Sequence, residues 1–275
     1  MSQSKIKRSS ASKLLNKKAQ ILALHGFTGC GEDFSEFSPL CGSGHAWTCP
    51  DLPGHGQDPE LNCTPDATIQ QLERSAATIQ SDKSVASTKI LLGYSMGARA
   101  ALLHATTHPK HWDALILISA NPGIEHETVR TDRASSDAKL AQRIRNDGVP
   151  TFLEYWQQTP MIRNQQAIRA DWLATMQQHR LQHTAEGLAA SLEQFGPAAC
   201  PNLWPQLKQL TCPILLVTGA RDKKYSAIAQ RMGAETPQAK WVSIPEVGHM
   251  PHLEAPETTS AAIRDFIGSP LEPHE

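Results

Sequence analysis

The pentapeptide Gly-Tyr-Ser-Met-Gly at residues 93–97 is the segment whose residue types and spacing best suit catalysis. It has the pattern G-x-S-x-G, follows the apolar run at residues 90–92 and precedes a helical pattern that ends before Pro109. Between a strand and a helix, the flanking glycines permit a tight turn that lifts the serine above a sheet. The sequence therefore predicts that Ser95 is a catalytic serine.

A serine hydroxyl reacts efficiently only beside a histidine that an acid holds in place. Asp222 lies just past the apolar run at residues 214–218, and His249 follows another apolar run. Because both side chains lie on loops after strands, they can converge on Ser95. His252 is a rival to His249, but the adjacent Gly248 and the downstream Glu-Ala-Pro at residues 254–256 favour His249. We predict a triad of Ser95, Asp222 and His249.

The loop His-Gly-Phe-Thr-Gly at residues 25–29 follows the first clear strand and has the position of an oxyanion-stabilising loop. Such a site needs two backbone N–H groups aimed at the developing negative charge. We expect Phe27 to supply one of them and Met96, the residue after the serine, to supply the other. Both are backbone donors, so turn geometry matters more than side-chain identity.

Several arginines accompany this triad. Arg99 stands four residues after Ser95, on the same helical face. Arg130 and Arg133 lie three residues apart, and Arg180 follows later. Guanidinium groups suit carboxylates because two parallel hydrogen bonds match their geometry. Each of the later arginines alone could equally be a solvated surface residue, but together with Arg99 they predict a small-molecule substrate with several carboxylates.

The elements that must position these residues alternate between strands and helices, which is typical of a mostly parallel, doubly wound α/β sheet. We predict helices at residues 66–83, 96–108 and about 258–267. The predicted strands lie at residues 21–24, 46–49, 89–93, 114–119, 213–219 and 241–244.

The stretch at residues 121–210 interrupts this alternation, because it has only helical patterning and is too long for a loop. We predict that it is a helical cap inserted into a core of residues 21–120 and 211–275. Residues 1–20 contain six lysines and arginines and no acid, and we interpret them as a flexible basic tail. A cleaved organellar peptide is the alternative for this tail.

The composition limits the classes of partner and cofactor that we expect this protein to bind. The net charge of −1 gives no indication of nucleic-acid binding, and no apolar run is long enough to span a membrane. Six cysteines form no CxxC pair and no metal-ligand spacing, so we expect reduced thiols, a cytoplasmic location, and neither metal nor organic cofactor. Cys30 adjoins the residue 25–29 loop and is interpreted as a small loop filler. We expect a monomer or a small homo-oligomer.

From about Leu24 to Pro256 the chain resembles the 2-succinyl-6-hydroxy-2,4-cyclohexadiene-1-carboxylate synthases, α/β-hydrolase-fold enzymes of menaquinone biosynthesis. The superfamily-wide motifs at residues 24–29 and 51–56 discriminate little. More specific are the serine-plus-four arginine and the Asn-Pro-Gly-Ile segment at the start of the cap. The remaining marks are Arg130 and Arg133 before Asp137, Trp156 before Pro160, and Arg180 before residues 187–188.

The resemblance implies a lyase that eliminates pyruvate from 2-succinyl-5-enolpyruvyl-6-hydroxy-3-cyclohexene-1-carboxylate, with the triad moving a proton. It implies substrate binding by Arg99, Arg133 and Arg180, with Tyr94 and Trp156 in the pocket. The chain departs from the family at the start, where the usual leading hairpin is expected to be reduced or missing. It also departs at Ala220 and Tyr225, where Glu and Phe are common.

Two other functions stay open on the residues alone. One is a serine hydrolase, namely an esterase, thioesterase or C–C bond hydrolase, acting on a carboxylate-bearing substrate. The other is a non-catalytic binding member of the fold, such as a small-molecule receptor, against which the complete triad argues. A dehalogenase would need an aspartate at position 95, where the chain has Ser95.

Overall fold

A computed structural model of the chain describes residues 18–57, 59–80, 88–163 and 167–268. Its centre is a parallel sheet of six strands in the order β2-β1-β3-β4-β5-β6. The prediction of an α/β fold with a mainly parallel sheet is confirmed. The strands are β1 Ala19–Leu24, β2 Ala46–Thr48, β3 Thr88–Tyr94, β4 Ala114–Ile118, β5 Ile214–Gly219 and β6 Ala239–Ile244.

The central strands are continuous apolar runs because helices cover both faces of the sheet. β4 and β5 are buried along their whole length. The predicted start of β1 at Ile21 is two residues late, since the strand begins at Ala19. Ala19 and Gln20 pair with Thr88 and Lys89 of β3 through backbone groups, which a search for apolar side chains does not detect.

Four helices pack on the sheet: α1 Pro65–Gln80, α2 Met96–Thr107, α6 Lys223–Glu235 and α8 Pro256–Gly268. They agree with the predicted helices to within a few residues, except that α6 was not predicted. A short helix, α7 Pro251–Glu254, precedes α8. The predicted end of α1 at residues 81–83, and the basic tail up to residue 17, lie outside the described residues.

Between β4 and β5 the chain forms α3 Glu127–Gln157, α4 Ala170–Arg180 and α5 Ala185–Phe195. α3 breaks at Gly148, whose φ of +73° lies in the left-handed region, and Pro150 follows. The second half of α3 packs against α5 through Phe152 and Leu188, which are fully buried. These helices form the body of the segment predicted to be a cap. Within the described residues, no helix is long and apolar enough to cross a membrane.

Candidate active site

Ser95 occupies the sharp turn between β3 and α2. Its φ of +51° is unusual for a residue with a side chain and indicates local strain. A Cβ on Gly93 would lie 2.4 Å from the Gly97 carbonyl oxygen, and one on Gly97 would lie 2.1 Å from the Leu24 carbonyl oxygen. Because these contacts are with backbone, both positions require glycine. The turn thus places the serine at the carboxyl end of the sheet.

His249 lies within hydrogen-bond distance of both Ser95 and Asp222. His249 Nε2 is 3.0 Å from Ser95 Oγ, and His249 Nδ1 is 2.6 Å from Asp222 Oδ2. His249 is only 2 % exposed, so this contact is shielded from water. The carboxylate fixes the tautomer in which Nδ1 bears the proton and Nε2 can accept one. The arrangement can therefore take a proton from the serine hydroxyl.

Two residues that the sequence did not single out as site residues hold the histidine loop. The Glu254 carboxylate accepts hydrogen bonds from the backbone N–H groups of Gly248 (2.6 Å) and Met250 (2.9 Å), one on each side of His249. The Ser119 hydroxyl donates to the His249 carbonyl oxygen at 2.9 Å. Ser119 directly follows β4, and a polar residue at the carboxyl end of a parallel strand could have been predicted to lie near the site.

The rival His252 has a different environment. Its ring stacks on Phe34 at 5.8 Å between centroids and lies 4.5 Å from the Tyr94 ring. Burial lowers the pKa of His252 to about 3. A histidine that stays neutral among aromatic rings is a core residue, and the contact with Ser95 belongs to His249.

Phe27 and Met96 both line the cleft that contains Ser95. Met96 is the first residue of α2, so its N–H has no acceptor within the helix. Phe27 lies inside a turn closed by the hydrogen bond from Gly29 N–H to the Gly26 carbonyl, 3.0 Å long. Their assignment as oxyanion donors stays a prediction, and both are positioned beside Ser95.

The cleft lies between the cap and the carboxyl edge of the sheet. Its empty space, including the open mouth, is about 1170 Å³. A site of that size accommodates a small metabolite rather than a polymer. Besides the triad serine and histidine, its lining includes Phe27, Tyr94, Arg99, Arg133, Trp156 and Tyr225.

Arg99 and Arg133 bring positive charge into this cleft. Arg99 is 6 % exposed, and its Nη2 donates to the Phe195 carbonyl oxygen at 2.9 Å. Arg99 Nε is buried without a hydrogen-bond partner among the described residues. Arg133 Nε donates to Asp137 Oδ1 at 2.8 Å. A buried guanidinium with an unused donor is suited to an anionic ligand.

The other two arginines lie elsewhere. Arg180 is 2 % exposed and lines a smaller pocket that adjoins the cleft behind Tyr94, so it is not part of the cleft lining. Burial lowers the pKa of Arg180. Arg130 is about half exposed and pairs with Glu127 on its own helix. The role of Arg180 in substrate binding stays a prediction, and Arg130 faces solvent.

The predicted pocket residues Tyr94 and Trp156 both line the cleft. The Trp156 ring packs edge-on against Phe27 at 5.5 Å, and its Nε1 is a buried donor without a partner among the described residues. Tyr225 was noted in the sequence only as a departure from a family pattern. Its ring lies 4.5 Å from that of His249. Its position could have indicated this role, because Tyr225 lies three residues after Asp222, in the first turn of α6.

Comparisons with known proteins agree with this geometry. The model of a family described as "Alpha/beta hydrolase family" matches residues 21–262. The chain therefore belongs to the α/β hydrolase family. The 2-succinyl-6-hydroxy-2,4-cyclohexadiene-1-carboxylate synthase of Salmonella arizonae is 32 % identical to it, over 86 % of this chain and 88 % of that protein. The synthase of the same name from an Enterobacter species is 30 % identical, over 90 % and 91 %.

A solved structure points the same way. MenH from S. aureus has a TM-score of 0.85 and 28 % identity with this chain, and the match covers 91 % of this chain and 94 % of that one. Within the α/β hydrolases, the chain belongs to the family of the 2-succinyl-6-hydroxy-2,4-cyclohexadiene-1-carboxylate synthases. The resemblance inferred from the motifs is thereby confirmed.

Proposed function

We propose that this chain eliminates pyruvate from 2-succinyl-5-enolpyruvyl-6-hydroxy-3-cyclohexene-1-carboxylate and releases 2-succinyl-6-hydroxy-2,4-cyclohexadiene-1-carboxylate. The observation that supports this most directly is the joint position of the serine and the arginines. A hydrogen-bonded Ser95–His249–Asp222 set opens into a cleft that Arg99 and Arg133 also line. That combination unites a base with binding groups for a polycarboxylate.

The reaction begins with proton transfer. His249 Nε2 takes the proton of the Ser95 hydroxyl, and Ser95 Oγ takes the ring proton next to the succinyl ketone. Asp222 stabilises the imidazolium that forms, because its carboxylate lies 2.6 Å from His249 Nδ1. The electron pair of the broken C–H bond moves toward the ketone oxygen, which becomes an enolate. The N–H groups of Phe27 and Met96 stabilise that oxygen.

The enolate then collapses and expels the leaving group. The ketone re-forms, the ring double bond C3=C4 shifts so that C2=C3 and C4=C5 form, the C5–O bond breaks, and the enolpyruvyl oxygen leaves with the electron pair. The proton held by the triad returns to the departing pyruvate, so the serine and histidine recover their resting state. No electrons are gained or lost overall, and the chemistry needs no covalent enzyme intermediate.

The arginines orient the substrate for this step. Arg99 lies one helical turn from Ser95, so a carboxylate bound there is held close to the base. Arg133 provides a second cation on the cap side of the cleft. Arg180 binds from the adjoining pocket, next to Phe27 and Tyr94. Three guanidiniums match the three carboxylates of the substrate.

The cellular setting is part of the same proposal. We propose a cytoplasmic enzyme that acts as a monomer or a small homo-oligomer, on a small molecule and without nucleic acid. All six cysteines are free thiols, which fits a reducing compartment. The near-neutral net charge of −1 fits a metabolite-binding protein better than a nucleic-acid-binding one.

The test is pyruvate release from the enolpyruvyl substrate, followed with a lactate dehydrogenase couple. We expect wild type to release pyruvate stoichiometrically and Ser95→Ala to fall by at least about 10³-fold, since one member of a catalytic triad is lost. Ser75→Ala, a change on α1, is the control and should be unaffected. Absence of pyruvate from wild type above background would refute the proposal.

A serine hydrolase would give a different result. It would accumulate an acyl group on Ser95 during turnover of a carboxylate-bearing ester or thioester. Intact-protein mass spectrometry after rapid quenching distinguishes the two chemistries. We expect no mass increase on wild type during pyruvate release, and a stoichiometric acyl adduct would favour the hydrolase.

A further inference from the structure

Cys30, Asp33 and His179 converge at a point away from the triad. Cys30 and Asp33 lie in the loop after β1, whereas His179 lies in α4, 146 residues beyond Asp33. One potential ligand atom from each residue lies within 4.8 Å of the other two. Because the cap helix supplies one ligand and the core supplies two, no local sequence motif announces this cluster.

The separations between these atoms suit a tetrahedral metal. His179 Nδ1 is 3.0 Å from Asp33 Oδ1, and Cys30 Sγ is 3.7 Å from the same oxygen. Zinc bonds of about 2.0 Å to nitrogen or oxygen and about 2.3 Å to sulfur place neighbouring ligands roughly 3.3–3.6 Å apart. The two separations from Asp33 Oδ1 thus differ from those values by only a few tenths of an ångström. The third pair, the Cys30 sulfur and the His179 ring, lies within 4.8 Å and would close by up to about 1.3 Å on binding an ion.

The outer contacts of these side chains are those that orient metal ligands. Both ring nitrogens of His179 face carboxylate oxygens, Nδ1 that of Asp33 at 3.0 Å and Nε2 that of Glu32 at 3.2 Å. When Nδ1 exchanges its proton for a metal ion, the Glu32 carboxylate holds the remaining proton on Nε2. Asp33 Oδ2 accepts the Cys30 backbone N–H at 3.1 Å, which turns Oδ1 toward the other two residues. A carboxylate–histidine pair behind a metal fixes the ring in this manner.

The cluster is shielded but reachable. Cys30 is 8 % exposed, and the side chains of Asp33 and His179 are 11 % and 17 % exposed. Cys30 and His179 open onto a surface pocket that Asp51 and His183 also line, with about 780 Å³ of empty space including its open mouth. The pocket gives an ion a way in and leaves room for a water molecule as the fourth ligand.

We propose that Cys30 Sγ, Asp33 Oδ1 and His179 Nδ1 form a binding site for a zinc-type divalent cation, with water as the fourth ligand. On binding, the Cys30 thiol and His179 Nδ1 each release a proton to solvent, and the ion takes the lone pairs of the sulfur and the ring nitrogen. One thiolate, one imidazole and one carboxylate select Zn²⁺ over Mg²⁺ or Ca²⁺, which prefer all-oxygen sites.

The bound ion would join two parts of the molecule. Cys30 and Asp33 continue the loop that contains Phe27, and His179 precedes Arg180 at the end of α4. Zinc at this point would link the cap to the loop beside the active site. Because the ion binds the folded chain, saturating Zn²⁺ should raise its melting temperature.

The experiment titrates metal-free full-length protein with Co²⁺, a spectroscopic substitute for Zn²⁺, and then with Zn²⁺. We expect one Co²⁺ per chain, a thiolate-to-cobalt charge-transfer band in the near ultraviolet, and displacement by one equivalent of Zn²⁺. Cys30→Ser should lose the band and weaken Zn²⁺ binding at least tenfold. Cys41→Ser, which changes a buried thiol elsewhere, should retain both.

His179→Gln provides a second variant, with folding of each protein verified by circular dichroism. We expect tenfold or greater weakening of Zn²⁺ binding and loss of the zinc-dependent rise in melting temperature. The proposal is overturned if wild type binds no Co²⁺ or Zn²⁺ at millimolar concentration, or if Cys30→Ser keeps the same band and affinity. These readouts require no turnover, so they are independent of the pyruvate assay.

Discussion

Arg99 places a positive charge in the wall of the cleft, and its guanidinium packs against Phe195, another residue of that wall. Its guanidinium is held from one side by the Phe195 carbonyl oxygen and the Phe195 ring, whose centroid is 5.4 Å from Arg99 Cζ. Such support fixes a long side chain in one orientation and reduces the entropy lost on binding. Arg99 Nε, which has no hydrogen-bond partner in the part of the chain that the structure describes, leaves capacity for a ligand carboxylate.

Replacing Arg99 by alanine should therefore lower kcat/KM for pyruvate release roughly 30- to 800-fold, which corresponds to about 2–4 kcal/mol of lost transition-state stabilisation. The loss arises because a substrate carboxylate is left without its cation in a partly desolvated cleft. Arg130→Ala is the matched control, since that side chain pairs with Glu127 at the surface, and it should stay within twofold of wild type. Equal losses in both variants would contradict the role given to Arg99.

Glu254 acts on the reaction through the loop it holds. Because its carboxylate accepts two backbone N–H groups around His249, Glu254→Ala would leave both donors without their partner. We expect kcat for pyruvate release to fall about tenfold or more as the histidine loses its orientation. Unfolding should become easier by about 1–3 kcal/mol. Steady-state kinetics and urea denaturation measure the two effects, and an unchanged kcat would speak against positioning by Glu254.

At the scale of secondary structure, the turn that contains Ser95 depends on a close approach between α2 and the end of β1. Gly97→Ala would place a methyl group 2.1 Å from the Leu24 carbonyl oxygen. Because backbone cannot move aside cheaply, we expect more than about 2 kcal/mol of destabilisation, together with loss of pyruvate release.

The control for that change is Gly233→Ala in α6, where an added Cβ meets nothing within 4 Å. Alanine in a helix interior should raise stability by up to about 1 kcal/mol. Urea denaturation of both variants measures the difference. If Gly97→Ala were as stable as Gly233→Ala, the close contact at the turn would not be the constraint inferred here.

The strands were readable from sequence because each buried parallel strand is an apolar run ended by turn residues, as at residues 114–118. α6 was not predicted because most of its residues are polar or small. Its buried side, which contains Tyr225, Ala229 and Met232, gives only a weak helical pattern. The bend of α3 at Gly148 was not predicted either, because only the helical periodicity of this stretch was considered, whereas a glycine two residues before Pro150 is a local helix-breaking signal.

Much of the site was also readable, because Ser95, Asp222 and His249 each follow a strand of one parallel sheet and such loops meet at one edge. The cap was harder. The position of Arg180 behind Tyr94, rather than in the main cleft, follows from how α4 packs on the core. The cluster of Cys30, Asp33 and His179 depends on the same packing, which residue spacing cannot reveal.

Across the whole molecule, buried histidines connect loops that lie far apart in sequence. His183 of the cap accepts the Gly56 N–H at 2.9 Å and lies 3.1 Å from the Thr28 carbonyl oxygen. Burial lowers the pKa of His183 to about 4, and it lowers the pKa of His104 and His252 to about 3. The fold therefore requires these rings in the neutral form.

Stability should consequently depend on pH in a definite sense. Histidines in the unfolded chain have a pKa of about 6.5. Below that pH they bind protons, whereas the same histidines stay neutral when buried in the folded chain. The contribution of these buried histidines to the free energy of unfolding should be level above about pH 6.5 and fall toward pH 4, each contributing up to about 1.4 kcal/mol per pH unit. His179, whose pKa is raised by Asp33, acts in the opposite sense.

Urea denaturation between pH 7.5 and pH 4.5 measures this slope. His104→Gln should flatten it, because one of the contributing rings is removed. His126→Gln should leave it unchanged, since that histidine lies outside the buried set at the start of α3. A free energy of unfolding that stayed constant down to pH 4.5 would contradict the prediction.

The geometry of Ser95 also determines how this protein behaves toward covalent reagents. The serine stands at a strained turn with a partnered histidine, and these are the features that fluorophosphonate probes detect in serine hydrolases. The probe reads the arrangement of the nucleophile and ignores the natural substrate. A proteome-wide survey with such a probe would therefore count this lyase among the hydrolases, and inhibitors developed against esterases would reach it as an unintended target.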